Sequence, residues 1–306
     1  MASTTAVMTG EPEAATLRPR FWGTVRGELF KISRQRATWF MALMLTAVIC
    51  FIYLVQMGNS HLATMLKIDP VNYFYRELGI NLLVLRVFSG NFLLIVTARL
   101  IGMEYSGGTI RILLGRGIGR LHLLFAKLTA LAFVALMVLV GGIVLNIVLQ
   151  LIMTQASAGN LDGLKSLTGT FWQDAWTFIT TVMVSMAVTI LMAAAASVLG
   201  RSLAIGLSVA IAFFPVDNIG TLFLYLGTRL TGNNFFTLLS GNLLGPNLNV
   251  MPDLLLPQRA VQAASRAFAV PLVPVTGVHT QVIALLWGAA FAIVAIVLTW
   301  KRDVKE

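Results

Sequence analysis

The sequence LFAKLTALAFVALMVLVGGIVLNIVLQLIMT, residues 124–154, holds a single charged residue, Lys127, among 31 positions. About 20 consecutive apolar residues are enough for an α-helix to cross the roughly 30 Å hydrocarbon core of a bilayer. This stretch is longer than that. It therefore predicts a membrane-spanning helix that tilts or projects beyond the bilayer.

Further apolar runs of spanning length lie on both sides of it, at residues 39–57, 81–103, 175–199, 203–226 and 278–300. The whole chain is 58% hydrophobic and 11% charged, against about 45–50% and 25% in soluble domains. A soluble core could hide one or two such runs but not six. We therefore predict an all-α membrane protein with six transmembrane helices in a single domain, residues 39–300.

The excess of basic residues gives the chain a formal net charge of +10. Fifteen lysines and arginines fall in the N-terminal segment, the connections after spans two and four, and the C-terminal tail, whereas six fall in the other connections. Basic residues collect in the cytoplasmic loops of membrane proteins. The pattern predicts cytoplasmic termini, with a disordered tail at 1–19 and a short tail at 301–306, and it leaves no basic stripe for a nucleic acid partner.

Residues 20–38 predict an amphipathic helix at the membrane interface, before the first span. Apolar residues recur at helical spacing from Trp22 to Ile32, and basic residues occupy other positions. Two interpretations stay open. The helix is either an elbow that meets a cytoplasmic partner or a basic segment that only fixes the topology.

Residues 227–277 are neither a full span nor polar enough for a loop in solvent. They contain five of the nine prolines, among apolar patches such as FFTLLSGNLLG. Non-helical backbone at membrane depth is tolerated only where protein or a water-filled cavity satisfies it. We expect a re-entrant outer segment of short helices between spans five and six.

Polar residues inside the predicted spans are candidates for a transport pathway. Span five contains FFPVDNIG, in which Pro215 removes a backbone hydrogen bond just before Asp217 and Asn218, so this helix is predicted to kink or break. Asp217 then either lines a pathway or caps the broken helix. Arg86, predicted near the outer end of span two, is either another pathway residue or an interfacial anchor that snorkels toward water.

The connection after span two reads ARLIGMEYSGGTIRILLGRGIGRLHLLFAKLTAL, residues 98–131. Gly107 and Gly108 can end the helix at the membrane surface, and Thr109 can cap a short second helix. The charged residues from Glu104 to Lys127 would then form a rigid bracket on the cytoplasmic side.

Three short motifs resemble those of the membrane subunits of ABC transporters of the ABC-2 type: E-x-x-x-G-T-x-R, G-x-x-R-x-x-x-x-x-x-K and R-x-E-L-x-K-x-x-R. Their residues here are Glu104, Gly108, Thr109 and Arg111, then Gly117, Arg120 and Lys127, and finally Arg26, Glu28, Leu29, Lys31 and Arg34. The resemblance extends across nearly the whole chain, since that family also has six spans, an elbow helix and a re-entrant outer segment. It implies a permease that contacts an ATPase subunit through Arg26, Glu28, Lys31, Arg34, Glu104, Gly108, Thr109, Arg111 and Arg120.

The resemblance also implies a complex of two permease subunits with two ATPases, the second permease being another copy or a homologue. The chain has no G-x-x-x-x-G-K-[ST] motif, so ATP and Mg²⁺ would be bound by the ATPase and no cofactor by this chain. No catalytic or metal-binding motif occurs, and the three histidines lie far apart. We expect no enzyme by itself, but an exporter of a hydrophobic or amphipathic compound in a prokaryotic plasma membrane.

The alternative function is an ion-coupled secondary carrier that uses the broken helix at Asp217. Such carriers usually contain paired interrupted helices in two repeated halves. This sequence offers one such interruption, so the carrier remains the second choice.

Overall fold

A computed structural model describes residues 20–115, 117–256 and 268–301, without the side chains of Ile110, Arg111 and Leu114. The predicted tails at 1–19 and 301–306 lie outside this range, apart from Lys301. Every described residue belongs to a helix, a turn or a loop, and no strand occurs among them. The predicted all-α class is therefore confirmed for the described part of the chain.

Six of the helices in this part are long and apolar enough to cross a membrane, which confirms the predicted number of spans. They are α2 (Arg36–Met57), α4 (Pro70–Ser106), α6 (Arg120–Ala158), α7 (Gly169–Gly200), α8 (Leu203–Thr231) and α11 (Gly277–Lys301). One shorter helix precedes the first span, α1 (Phe21–Arg34), and others lie between spans: α3 (Ser60–Ile68), α5 (Thr109–Gly115), α9 (Phe235–Ser240) and α10 (Leu244–Leu255), with a 3₁₀ turn at Asp162–Ser166.

Helix α4 begins eleven residues before the predicted start of span two. Pro70 occupies its first turn, where the missing N–H is not needed, and the Asp69 side chain accepts a 3.2 Å hydrogen bond from the Asn72 amide. The bounds predicted for span two, 81–103, left Arg76 and Glu77 in the connection before it, and this start is wrong. Both residues lie inside the helix, because Glu77 is buried against neighbouring residues and does not face solvent.

Helices α4 and α7 form the centre of the bundle. In the most apolar 18-residue stretch of each span, 61% of the residues of α4 and 72% of those of α7 are buried. In the other four spans the buried share is at most 28%. Helix α8 approaches this pair backbone to backbone: a Cβ on Gly206 would lie 2.8 Å from the Cα of Ser197, and one on Gly102 would lie 2.8 Å from the Cα of Leu203. Small residues allow such close packing between helices in a membrane.

Helix α8 runs through Pro215, Asp217 and Gly220 without interruption, so of the predicted kink or break in span five the break does not occur. Proline removes one backbone hydrogen bond. A broken helix would leave several more backbone groups unsatisfied in a medium without water, and continuity is therefore the less costly solution.

The short helices expected between spans five and six are present as α9 and α10. Most of α10 is buried, including Leu244, Asn247 and Met251, and it packs against α7, α8 and α11. Pro257 and the ten residues after it lie outside the described residues. The depth of this segment in the membrane stays a prediction.

Candidate coupling site

The first helix packs along one face onto the beginning of α6. Val25 and Leu29 of α1 contact Ala126 and Ala130 of α6 in one apolar cluster. The buried positions Val25, Glu28 and Ile32 follow helical spacing, so a single face of α1 is covered. Helix α1 ends at Arg34, four residues before the predicted end of the elbow, since Gln35 has extended backbone angles.

Two acids and two lysines join α1 to the end of α4 and the start of α6. The Nζ atom of Lys31 lies 2.8 Å from Oε1 of Glu28 and 2.8 Å from Oε1 of Glu104. The Nζ atom of Lys127 lies 2.8 Å from Oε2 of Glu28 and 2.8 Å from Oε1 of Glu104. Each acid therefore bridges both lysines, and we call Glu28, Lys31, Glu104 and Lys127 the coupling cluster.

Burial makes the balance of charge in the coupling cluster critical. Glu28, Lys127 and Glu104 are 2%, 3% and 8% exposed, respectively. Lys127 also donates a 3.1 Å hydrogen bond to the Leu100 carbonyl. Taking one partner away from a buried ion pair leaves an uncompensated charge and costs about 3–5 kcal/mol. The coupling cluster therefore holds α1 against α4 and α6, and the burial of each charged member is compensated by the others.

Lys31 is the solvent-facing member of the coupling cluster, with a side chain that is 44% exposed. Burial acts to lower the pKa of Lys31, but the hydrogen bonds and negative charges of Glu104 and Glu28 outweigh it and raise the pKa above its ordinary value. Lys31 thus stays charged over the physiological pH range.

Beside the coupling cluster lies a cleft of about 660 Å³ between α1, α4 and α5. Its lining combines Lys31 and Glu104 with Arg34, Gln35, Arg99, Gly107, Thr109 and apolar residues of α4 and α5. The Oε2 atom of Glu104 is buried and accepts no hydrogen bond from the described residues. The cleft therefore offers a basic rim, with Lys31, Arg34 and Arg99, to a partner that enters it.

The glycine pair ends α4 as predicted. Gly107 follows the last helical residue, and Gly108 has a φ of +66°, a left-handed conformation that favours glycine. Helix α5 then begins at Thr109. Thr109 is thus the first residue of that helix and not its cap, so the predicted capping role is wrong.

The structure brings some of the predicted contact residues together and leaves others apart. Glu28, Lys31 and Glu104 meet in the coupling cluster, while Arg34 and Thr109 line the cleft. Arg26 is exposed outside the cluster, Gly108 shapes the turn, and Arg120 starts α6. The side chain of Arg111 lies outside the described residues. Lys127 belonged to one of the motifs but was not among the predicted contact residues. Its position as the single charge in a 31-residue apolar run could have indicated that it has a partner inside the protein.

Arg86, a predicted pathway residue, is near the middle of α4 and does not snorkel. It is 5% exposed and donates hydrogen bonds to the Leu248 carbonyl and, at 3.0 Å, to Oδ1 of Asn249, both on α10. Asn249 in turn donates a 2.8 Å hydrogen bond to Oδ1 of Asn218 on α8. The predicted position of Arg86 at the membrane interface is therefore wrong, because its hydrogen-bond partners lie inside the protein.

Asp217 caps a helix, but the helix is α10. Its Oδ2 atom accepts a hydrogen bond from the amide of Gly245, in the first turn of α10. Arg86, Pro215 and Asn218 line a cavity of about 360 Å³ between α4, α7, α8 and α10, whereas Asp217 lies outside its lining. The four predicted pathway residues are thus neighbours, and three of them, Arg86, Asp217 and Asn218, form hydrogen bonds to α10.

A family model described as "ABC-2 family transporter protein" matches residues 24–217. The match begins within α1 and ends within α8, so it contains the whole coupling cluster and the first four spans completely. Among curated proteins, none matches the chain.

Proposed function

The chain belongs to the ABC-2 transporter family, and we propose that it exports a hydrophobic or amphipathic compound as a membrane permease powered by a separate ATPase. The permease role follows from the family and from the six apolar helices. The direction of transport and the class of compound are our proposals.

The coupling cluster is the observation that carries this proposal. An ATPase that docks in the cleft would contact α1, α5 and the end of α4, which all line it. A push on α1 would reach α4 and α6 together, since Glu28 and Lys31 of α1 are bonded to Lys127 and Glu104. Closure of the ATPase would in this way move α4 and α6, two of the membrane spans.

Several parts of the assembly are proposed with it. The basic N-terminal segment and the basic connection after α4 favour a cytoplasmic position for the coupling cluster and for both termini. ATP and Mg²⁺ would be bound by the ATPase. We propose two ATPase copies and a second permease, either another copy or a homologue, in the plasma membrane of a prokaryote.

The ion-coupled carrier loses its main support. That function relied on an interrupted helix at Asp217, and α8 is continuous there. No observation on the described residues favours it over the permease.

Reversal of one charge at the cleft tests the ATPase partner. The Arg34 guanidinium lies over the ring of Phe30, 5.0 Å from its centroid, and Arg229 stands in the same relation to Tyr225 at 5.3 Å. Both arginines are exposed, but Arg229 is at the opposite end of the bundle. Arg34→Glu should therefore reduce the ATPase activity that co-purifies with the tagged chain from its native membrane, whereas Arg229→Glu should not.

Equal loss of ATPase activity in both variants would contradict docking at the cleft. Complete absence of a nucleotide hydrolase from preparations of the unaltered chain would contradict the proposed function itself. Size-exclusion profiles of both variants serve as the control for folding.

A further inference from the structure

A second cavity, of about 350 Å³, lies at the other end of the bundle between α4, α6 and α7. Glu77 lines it and precedes Glu104 by 27 residues on the same helix, which corresponds to about 40 Å along the helix axis. That distance approaches the full thickness of a bilayer with its headgroups. The cavity is therefore remote from the coupling cluster and belongs to the opposite leaflet.

The walls of this cavity are apolar and its mouth is open to the side of the bundle. Phe74, Leu78, Ile143, Phe171 and Ile179 form much of the wall. Ile147 and Trp172 also line it, and they are 50% and 59% exposed on the surface that faces lipid in a membrane. An apolar molecule could enter from the bilayer without crossing the protein.

Two side chains that carry acceptor oxygens, Glu77 and Gln150, line the cavity. Glu77 is 2% exposed, and its Oε1 atom is 2.8 Å from the Arg76 guanidinium. Its Oε2 atom accepts a 3.3 Å hydrogen bond from the Asn81 amide, and the Gln56 side chain also interacts with the Glu77 carboxyl group. Gln150 donates a 3.2 Å hydrogen bond to the Tyr73 hydroxyl, but its own Oε1 atom is buried and accepts none from the described residues.

We propose that this cavity binds an amphipathic cation that carries N–H donors, with its nitrogen at Glu77 and Gln150 and its apolar part against the walls. A buried acceptor without a donor is unfavourable by itself, and a carboxylate bonds a cationic donor more strongly than a neutral one. Apolar walls around a few polar groups are the usual composition of a small-molecule site. That such a cation is also the exported compound rests on the proposed function, but its binding does not.

Binding can be measured on the full-length chain alone, in nanodiscs of phosphatidylcholine, by the fluorescence polarisation of rhodamine 6G. Glu77→Gln should weaken this binding about tenfold, because the ionic part of the bond to the dye is lost. Asp174→Asn is the matched control. Asp174 bonds the Tyr75 hydroxyl at 2.6 Å close by but does not line the cavity, so binding should be unchanged.

A second variant and a second dye keep the test independent of folding. Gln150→Leu should also weaken rhodamine 6G binding, whereas the neutral dye Nile red should bind both variants as it binds the unaltered chain. Equal rhodamine affinity in all of these proteins would overturn the proposal. So would a parallel loss of Nile red, which would indicate collapse of the cavity.

The ammonium group could come from a lipid headgroup or from a soluble compound. Replacing part of the phosphatidylcholine with phosphatidylethanolamine separates the two: competition with the dye identifies the lipid as an occupant, and unchanged dye binding identifies soluble amphiphiles. Both results support an ammonium site. Failure of dye binding in a chain that still co-purifies with an ATPase would overturn the cavity proposal alone, and the reverse result would contradict the proposed function alone.

Discussion

At the scale of single residues, Lys127 has the largest predicted effect on stability. It is buried and bonded to two acids and one carbonyl. Lys127→Met would leave two carboxylates near each other with only Lys31 between them. We expect the free energy of unfolding to fall by about 3–5 kcal/mol, measured by denaturation in detergent micelles.

An exposed ion pair in the same chain supplies the control for Lys127. Lys165 lies 2.6 Å from Asp162, but its side chain is 83% exposed. Surface ion pairs contribute little, so Lys165→Met should leave the unfolding curve unchanged within error. A similar shift in both variants would contradict a special role for burial in the coupling cluster.

Asp217 gives a prediction that separates capping from transport. Asp217→Ala removes the acceptor for the Gly245 amide and should destabilise the protein by about 1–2 kcal/mol, whereas Asp217→Asn keeps an acceptor and should lose less. The transport rate per folded molecule should be unchanged in Asp217→Asn. A changed rate with an unchanged melting temperature would instead assign Asp217 to the pathway.

At the scale of helices, the turn between α4 and α5 depends on the left-handed backbone of Gly108. A Cβ there meets no atom within 4 Å, but the φ of +66° is unfavourable for alanine by about 1–2 kcal/mol. Gly115 is equally open and has no positive φ. Gly108→Ala should therefore reduce the stimulation of the ATPase by transported compound, and Gly115→Ala should not. Equal activity in the two variants would contradict a functional role for the left-handed turn at Gly108.

The helices also mark the limit of what the sequence could predict. Apolar length predicted six spans, and Gly107 with Gly108 predicted the end of α4, because both features are local. The extended start of α4 was missed, since charges at Arg76 and Glu77 are typical of a loop. Arg86 forms a hydrogen bond with Asn249, 163 positions later in the sequence. Hydrophobic periodicity carries no information about contacts between residues so far apart in the sequence.

At the scale of the whole molecule, the two ends of the bundle differ in chemistry. One end carries the coupling cluster and a cleft with a basic rim; the other carries the cavity around Glu77, about 40 Å away along α4. The central helices α4 and α7 connect the two ends. A motor at one end could thus act on a bound compound at the other through continuous helices.

The most direct test of ATP-driven transport is uptake of a panel of hydrophobic and amphipathic compounds into inverted vesicles that contain the purified chain with its co-purified ATPase. We expect uptake of at least one compound that requires hydrolysable ATP and Mg²⁺ and stops when the ATPase is removed. Uptake that proceeds without the ATPase, driven by an ion gradient alone, would contradict the central claim.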